Sequence, residues 1–235
     1  MKFVALKSEE QQSVLALHRM REQLVKMRTM QVNQLRGLLY EFGISLPQGR
    51  KKGMSRVEEE VALLEGRLSP MVIELIRQQI QRIKTFDQDI AGIENKLLLW
   101  KKEDKASQKL MDIPGVGILT ATAAVATIGD AKIFKSGREL AAFLGLVPRQ
   151  SGTGGRVKLL GISKRGDVYL RTLLIHCARS AVQHKRYPWP WIDKMLLRRP
   201  YNVVVSALAN KMARTIWALL AHNRTYEKEY ASEVA

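Results

Sequence analysis

Cysteine is nearly absent from the sequence, and this scarcity narrows the class of protein. Among 235 residues there is one cysteine, Cys177, which excludes an internal disulfide and a cysteine-rich zinc site. Long uncharged apolar runs are also lacking, since none approaches the roughly 18 to 20 residues that a membrane-spanning helix needs. The first residues, MKFVALKSEEQQ, have no signal-peptide pattern. These absences predict a cytoplasmic protein that does not enter a membrane.

Acidic side chains are scarce in the second half of the chain. Residues 131–224 contain 18 Lys and Arg but only three carboxylates, Glu139, Asp167 and Asp193. The whole chain carries a net charge of +17 with 46% hydrophobic residues, which is a globular composition. A positive excess on a folded chain is typical of proteins that bind polyanions, usually nucleic acid. With so few carboxylates, this half cannot assemble a two-metal carboxylate site unaided.

Helical periodicity organises residues 1–106. Ser8 and Gln11 have the spacing of a capping box, which predicts a first long helix that begins at Ser8. A second helix is predicted from Ser55, after a loop rich in Gly and Lys. Pro70 begins a third, because proline is tolerated in the first turn of a helix.

The third helix carries a heptad seam, in which apolar residues recur at alternating spacings of four and three over about four heptads. Its members are Val72, Ile76, Ile83, Phe86, Ile90, Ile93 and Leu97, with Gln79 as a polar break. Either the first helix of the same chain or a second copy would bury this stripe, and the spacing does not choose between them. Because one helical hairpin covers so long a stripe poorly, we expect dimerisation through the seam.

The sequence changes in character after residue 106, where we predict a domain boundary. Further helices are predicted at 117–128, 137–145, 167–184 and 202–222. A glycine-rich connection spans 148–166, with a short β-hairpin as an option. The expected fold class is mainly α: long antiparallel or coiled-coil helices over 1–106, then a compact helical domain over 107–235.

The segment LMDIPGVGILTA, residues 110–121, has the Pro-Gly-Val-Gly turn of a helix-hairpin-helix element. Gly115 and Gly117 let the backbone approach a ligand closely, and free N–H groups at a helix N-terminus point at a phosphate. Such contacts bind the nucleic-acid backbone without reading bases. An ordinary tight turn between two helices has the same pattern.

The segment PRQSGTGGRVK, residues 148–158, sets hydroxyls among glycines and cations. A phosphate-binding loop needs flexible backbone donors with Arg or Lys nearby, and a serine that attacks a phosphate needs cations to stabilise the added charge. The candidate nucleophile is Ser151, with Thr153 as the fallback. The candidate phosphate-binding residues are Arg149, Gly154, Gly155, Arg156 and Lys158. A turn whose serine has no catalytic role has a similar composition.

The segment GISKRGDVYLR, residues 161–171, leads into a predicted helix N-terminus. Lys164, Arg165 and Arg171 lie close to it in sequence, so their charge and the helix dipole would act together on an anion. A basic cap that faces solvent is the alternative.

Together these stretches resemble a transposase family of bacterial and archaeal insertion sequences, the DEDD-type transposases of the "one-ten" and "eleven-eleven" groups, which are bridge-RNA-guided recombinases. The resemblance is densest in IPGVGILTATAAVATIGDAKIFKSGRELAAFLGLVPRQ, LLGISKRGDVYLRTLLIHCARSAV and ALANKMARTIWALL. It implies an N-terminal RuvC-like domain with four metal-binding carboxylates, a long coiled coil, and a C-terminal domain whose serine forms a covalent link to a DNA phosphate. The implied partners are DNA, a guide RNA and further copies of the chain.

Two departures from the family pattern bear on activity. The chain begins where the RuvC-like domain would already have ended, so we expect this chain alone to bind no metal, and Mg²⁺ only together with that domain. The family's loop has a Ser-Ser-Gly or Ser-Thr-Gly-Gly core, whereas here residues 151–155 are SGTGG. Gly152 and Thr153 align with the family hydroxyls, and Ser151 lies one position early.

The sequence therefore predicts a transposase of an insertion sequence, whose serine attacks DNA with carboxylates supplied by a RuvC-like domain. The alternative is a catalytically inactive module that dimerises, binds DNA or RNA, and inhibits an intact transposase.

Overall fold

The computed structural model describes residues 6–184 and 190–227 and is mainly helical, as the sequence predicts. The elements are α1 (Glu9–Glu41), α2 (Arg50–Leu64), α3 (Pro70–Glu103), α4 (Lys105–Leu110), α5 (Ile118–Ile128), a short 3-10 helix (Ala131–Ile133), α6 (Gly137–Phe143), β1 (Pro148–Thr153), β2 (Arg156–Ile162), α7 (Val168–His184), α8 (Pro190–Leu196) and α9 (Tyr201–His222). The described sheet consists of the two strands β1 and β2.

The described residues form two compact units. Leu17–Lys96 forms the helical-hairpin unit, which contains α2 and most of α1 and α3. The C-terminal unit combines the described residues before Leu17 with those after Lys96. The predicted boundary near residue 106 lies inside this second unit, because the first turns of α1 and the last turns of α3 belong to it.

The predicted capping box begins α1. The backbone N–H of Ser8 donates to Oε1 of Gln11 at 3.1 Å, and the N–H of Gln11 donates to Oγ of Ser8 at 3.2 Å. Two backbone donors at the helix end are thus satisfied reciprocally. The second helix differs from the prediction, since α2 begins at Arg50, five residues before Ser55. Gly49, with a φ of 92°, makes the turn into it.

The heptad seam of α3 lies in the helical-hairpin unit up to Ile93, and most of it is buried. Ile76 and Ile83 are 0% and 1% exposed. They share a core with α1 and α2, whose contributing residues are Val32, Leu35, Leu39, Val57, Val61 and Leu64. On the antiparallel α1–α3 pair, Arg21 bonds to Glu94 and Arg28 to Asp87, each at 2.6 Å.

This packing corrects the premise behind the dimer seam, Val72, Ile76, Ile83, Phe86, Ile90, Ile93 and Leu97. We expected one partner helix to cover the stripe poorly, but beside Val72, Ile76 and Ile83 α2 adds a second covering helix within the same chain. Of the seven residues, five are buried and Val72 and Phe86 are half-buried. Self-association stays a prediction, and any second copy that used this stripe would have to displace these contacts.

The C-terminal unit packs α5, α6, α7 and α9 around one apolar core. Helix α9 is long and apolar enough in composition to cross a membrane. Its residues Val204, Leu208 and Ile216 are nevertheless at most 1% exposed within this core. Burial against the neighbouring helices therefore accounts for the apolar composition of α9.

Candidate nucleic-acid interface

Helices α4 and α5 flank the Pro-Gly-Val-Gly segment, which is the order of elements expected for a helix-hairpin-helix element. Gly115 has a φ of 87°, and a Cβ atom at this position would lie 2.5 Å from the carbonyl oxygen of Cys177 on α7. Gly117 is the N-cap of α5 and has no capping side chain. The close approach that Gly115 permits is thus to the protein's own helix. Phosphate binding by Gly115 and Gly117, which are both exposed, stays a prediction.

Cys177 fills the space where the first turn of α5 meets α7. Its Sγ lies 3.0 Å from Oγ1 of Thr120. Burial raises the pKa of the Cys177 thiol, and hydrogen bonds from Thr120 and the backbone of Gly117 oppose this only in part. A neutral, buried thiol at this contact has a packing role.

The glycine-rich segment forms the β-hairpin that the sequence left as an option. Strands β1 and β2 are antiparallel and are joined by Gly154 and Gly155, with φ values of 58° and 78°. A two-residue connection with positive φ at both positions is the geometry of a type I′ turn, which favours glycine. Turn formation therefore accounts for both glycines, and their role as phosphate donors stays a prediction.

Strand register places the candidate hydroxyls beside cations. Ser151 pairs with Lys158, and Thr153 pairs with Arg156. Residues directly opposite each other share a face of the ladder, with Cβ atoms about 4.5–5.5 Å apart. We call these four residues the hydroxyl face. All four are exposed.

The opposite face of the hairpin is partly apolar. Gln150 pairs with Leu159, and Gly152 pairs with Val157. Val157 and Leu159 are 63% and 62% exposed. Arg149 is exposed and lies at a shift in the register between Pro148 and Gln150, so the regular alternation does not assign it to a face.

The base of the hairpin is fixed to the turn that follows α6. The N–H of Ser163 donates to the carbonyl of Val147 at 2.8 Å, and the N–H of Lys164 donates to that of Gly145 at 3.1 Å. Gly145 has a φ of 68°, and a Cβ atom there would overlap the backbone of Arg165. This close backbone packing holds the two ends of the hairpin against the core of the C-terminal unit.

Arg171 belongs to this anchor, and its position corrects the prediction that it binds phosphate. Its guanidinium Nη1 donates to the carbonyl oxygens of Leu144 and Arg165, each at 2.9 Å. The residue is only 7% exposed. The first turn of α7 directs the side chain inward, which its sequence distance from Lys164 and Arg165 does not reveal.

Lys164 and Arg165, in contrast, are exposed at the base of the hairpin. The carboxylate next to them in sequence, Asp167, accepts the backbone N–H of Leu170 at 2.8 Å. Asp167 therefore caps the N-terminus of α7.

The exposed cations of this region are not neutralised by nearby carboxylates. In the helical-hairpin unit, Arg28 pairs with Asp87 at 2.6 Å and Lys84 with Glu58 at 2.8 Å. Among the residues that the structure describes, no carboxylate lies within 4.0 Å of the hairpin cations, which are Arg149, Arg156, Lys158, Lys164 and Arg165. The hairpin therefore offers uncompensated positive charge to solvent.

The described residues contain no donor set that suits a metal ion. Within 6–184 and 190–227, no group of three or more His, Cys, Asp and Glu lies close enough together to hold one. The side chains present therefore do not fit the Mg²⁺ that the family resemblance implies, and we assign these residues no metal-dependent step.

Sequence reasoning missed a second group of cations, on α9. Nζ of Lys211 lies 5.3 Å from the centroid of the Trp191 ring on α8. Arg214 follows one turn later, where α6 packs closely against α9. The available signal was two cations three residues apart in a mostly apolar segment, which the sequence analysis predicts only to be helical.

Comparison with known proteins identifies the family. Residues 107–190 match the transposase IS116/IS110/IS902 family. The chain is 44% identical to a probable family 20 transposase of Pseudomonas aeruginosa over 231 residues, 96% of this chain and 68% of that protein. It is 40% identical to the transposase for insertion sequence element IS1111A of Coxiella burnetii (96% and 63% covered) and 39% identical to that for IS1328 of Yersinia enterocolitica (97% and 69% covered).

Identities of this size over nearly the whole chain assign it to the class of insertion-sequence transposases. It belongs to the IS116/IS110/IS902 transposase family. This confirms the resemblance that the sequence motifs indicate. The chain spans about two thirds of the length of these relatives, between 63% and 69%.

Proposed function

We propose that this chain binds DNA as part of an insertion-sequence transposase, and that the hydroxyl face of its hairpin contacts a DNA phosphodiester. The observation that carries the proposal is the pairing of Ser151 with Lys158 and of Thr153 with Arg156 on one exposed face. A hydroxyl beside cations is the arrangement that phosphate attack needs. The relatives named above as transposases support DNA as the substrate.

The proposed reaction is a transesterification at phosphorus. Oγ of Ser151, or of Thr153 as the fallback, forms a bond to the phosphorus atom, and one bond from phosphorus to a deoxyribose oxygen breaks. The hydroxyl proton passes to a base, and the departing oxygen takes up a proton. Lys158 and Arg156 stabilise the charge that develops on the non-bridging oxygens.

The proton acceptor is not among the hairpin residues. Strands β1 and β2 carry no carboxylate and no histidine, and Asp167 is engaged as the cap of α7. A serine hydroxyl is a weak nucleophile without such a base. We therefore assign the proton acceptor, the metal-binding carboxylates and Mg²⁺ to a RuvC-like domain that completes the site.

The remaining partners follow from the family. We propose that a guide RNA and further copies of the chain join the assembly, and that the protein works in the cytoplasm at the nucleoid. The hairpin cations suit an RNA backbone as well as a DNA backbone, because contacts to phosphate carry no sequence information.

The covalent step is tested by denaturing electrophoresis of labelled DNA. The chain is mixed with a RuvC-like domain from a family member, Mg²⁺ and guide RNA, and Ser151→Ala and Thr153→Ala are compared with Ser163→Ala at the base of the hairpin. We expect an adduct with the unmodified chain and with Ser163→Ala, but none with Ser151→Ala.

Each other outcome corrects a specific part of the proposal. An adduct that forms with Ser151→Ala but not with Thr153→Ala assigns the nucleophile to Thr153. An adduct from the chain without the added domain contradicts the need for outside carboxylates. A complete mixture that forms no adduct overturns the catalytic proposal and favours a module that only binds nucleic acid.

A further inference from the structure

Lys211 is a half-buried cation held by an aromatic ring. Its ammonium lies 5.3 Å from the centroid of the Trp191 ring, within the range of a cation–π interaction. Burial lowers the pKa of Lys211, and the charge of Arg214 lowers it further. The ring fixes the position of the ammonium but does not neutralise it.

A second cation, Arg214, is exposed at the junction of α9 and α6. A Cβ atom at Gly137 would lie 2.9 Å from Cα of Arg214, so the two helices are in close contact there. Arg138, the next residue of α6, is exposed as well. Glu139 follows in sequence, but its Oε2 accepts the backbone N–H of Lys135 at 2.6 Å.

Like charges are therefore placed together without a compensating acid. Among the described residues, no carboxylate lies within 4.0 Å of the Lys211 ammonium or the Arg214 guanidinium. Two neighbouring cations on one helix repel each other, which costs stability unless an anion binds between them.

The same face of α9 leads to the base of the hairpin. Nδ2 of Asn210 donates to the carbonyl of Leu146 at 3.2 Å, two residues before β1 begins. Arg214 lies four residues after Asn210 and thus on the same face, about 6 Å further along the helix axis. Arg214 therefore lies one helical turn from the residue of α9 that contacts the base of the hairpin.

We propose that Lys211 and Arg214 form a second phosphate-binding site, which holds the backbone of the nucleic acid whose phosphate meets the hydroxyl face. This rests on the proposed function, because that nucleic acid is the ligand of the hairpin. Trp191 is a positioning residue that keeps the Lys211 ammonium in place. The ligand is a phosphodiester backbone, and the site does not distinguish bases.

The test is a salt titration of duplex DNA binding by the full chain. Each phosphate contact that is lost reduces the slope of log K against log salt by about 0.9. We expect the double variant Lys211→Met/Arg214→Gln to lower the slope by about 2, with weaker binding. The matched control, Arg19→Gln/Lys96→Met, removes the same charge from exposed positions of α1 and α3 and leaves the slope unchanged.

Two further variants show whether DNA binding weakens because a charge is lost or because the local structure changes. Lys211→Arg keeps the charge and the ring contact, so its slope stays at the unmodified value. Trp191→Leu keeps the charge but removes the ring that positions it, and we expect weaker DNA binding at temperatures where thermal scans show this variant to be folded.

The failure of this inference is distinguishable from that of the proposed function. If the α9 double variant keeps the unmodified slope while Arg156→Gln/Lys158→Gln lowers it, the α9 site is wrong and the hairpin proposal stands. If the unmodified chain shows no salt-dependent binding, both are wrong. A slope lowered equally by Arg19→Gln/Lys96→Met also overturns the α9 site, since net charge alone would then explain the effect.

Discussion

Ser151 and Lys158 are directly opposite each other on the antiparallel ladder of the hairpin, although they lie seven positions apart in sequence. Their pairing depends on the two-residue turn at Gly154 and Gly155, because a shift of the register by one residue would move Lys158 to the opposite face. The turn therefore determines which cation accompanies the candidate nucleophile.

Substitution of Gly152 tests how much DNA binding depends on this strand register. A Cβ atom at Gly152 would overlap the carbonyl oxygen of Arg156, whereas one at Gly161 meets open space. We expect Gly152→Ala to weaken duplex DNA binding at least about fivefold, since strain of one to two kcal/mol shifts an equilibrium by that factor. Gly161→Ala is the control in the same hairpin and should bind as the unmodified chain does. Equal affinity of the two variants would contradict the role of the hairpin in binding.

Arg171 is expected to stabilise the fold. Arg171→Met would leave the carbonyls of Leu144 and Arg165 without their buried donor, at a cost of about 2–3 kcal/mol in the free energy of unfolding. Arg165→Met removes an exposed cation of the same type and should change the free energy of unfolding by less than about 0.5 kcal/mol. Urea titration followed by circular dichroism measures both. An Arg171→Met variant as stable as Arg165→Met would show that the buried contacts contribute nothing.

The sequence predicted the helices well, because their periodicity and caps are local signals. The capping box at Ser8, the proline at the start of α3 and the helices α5, α6, α7 and α9 lie close to their expected positions, whereas α4 and α8 were not predicted. The start of α2 was five residues wrong, since Gly49 begins the helix without a capping side chain.

For the candidate nucleic-acid interface, the sequence predicted which residue types take part but not how they are arranged. Ser151, Arg156 and Lys158 were identified from their residue types, but their common face depends on strand register. The inward direction of Arg171 and the contact of Lys211 with Trp191 depend on tertiary packing, which a single sequence does not reveal.

Substitution of Ile83 tests whether other helices of the same chain bury the heptad seam. Ile83 is 1% exposed, so Ile83→Ala should lower the free energy of unfolding by about 2–5 kcal/mol. Leu75→Ala, at a position of α3 that is 47% exposed, should cost much less. If only helices of the same chain bury the seam, the unfolding midpoint of the unmodified chain is independent of protein concentration in thermal scans. A midpoint that rises with concentration, and loses this dependence in Ile83→Ala, would instead support dimerisation through the seam.

The burial of His18 predicts that the free energy of unfolding depends on pH. Burial, and then the charge of Arg21, lower the pKa of His18 from 6.5 to about 4. Below pH 6.5 the unfolded chain binds a proton at His18, whereas the folded chain does not until the pH approaches 4. Neutral His18 therefore contributes fully to the free energy of unfolding above pH 6.5, and this contribution is lost as the pH falls towards 4. The loss reaches about 3 kcal/mol.

Urea titrations between pH 4 and 7 measure this loss of stability. His18→Gln removes the titrating group and should flatten the pH dependence in that window, whereas the exposed His176→Gln should leave it unchanged. A dependence that persists unaltered in His18→Gln would assign it to other groups.

The most direct test of the proposed DNA contact is the salt dependence of duplex binding by the unmodified chain and by Arg156→Gln/Lys158→Gln. With about six cations on phosphates, log K of the unmodified chain should fall with log salt at a slope near −5. The double variant removes the cations of the hydroxyl face and should lower this slope by about 2. A slope shallower than about −2 for the unmodified chain, or one that the double variant leaves unchanged, would contradict the contact between the hydroxyl face and DNA phosphate.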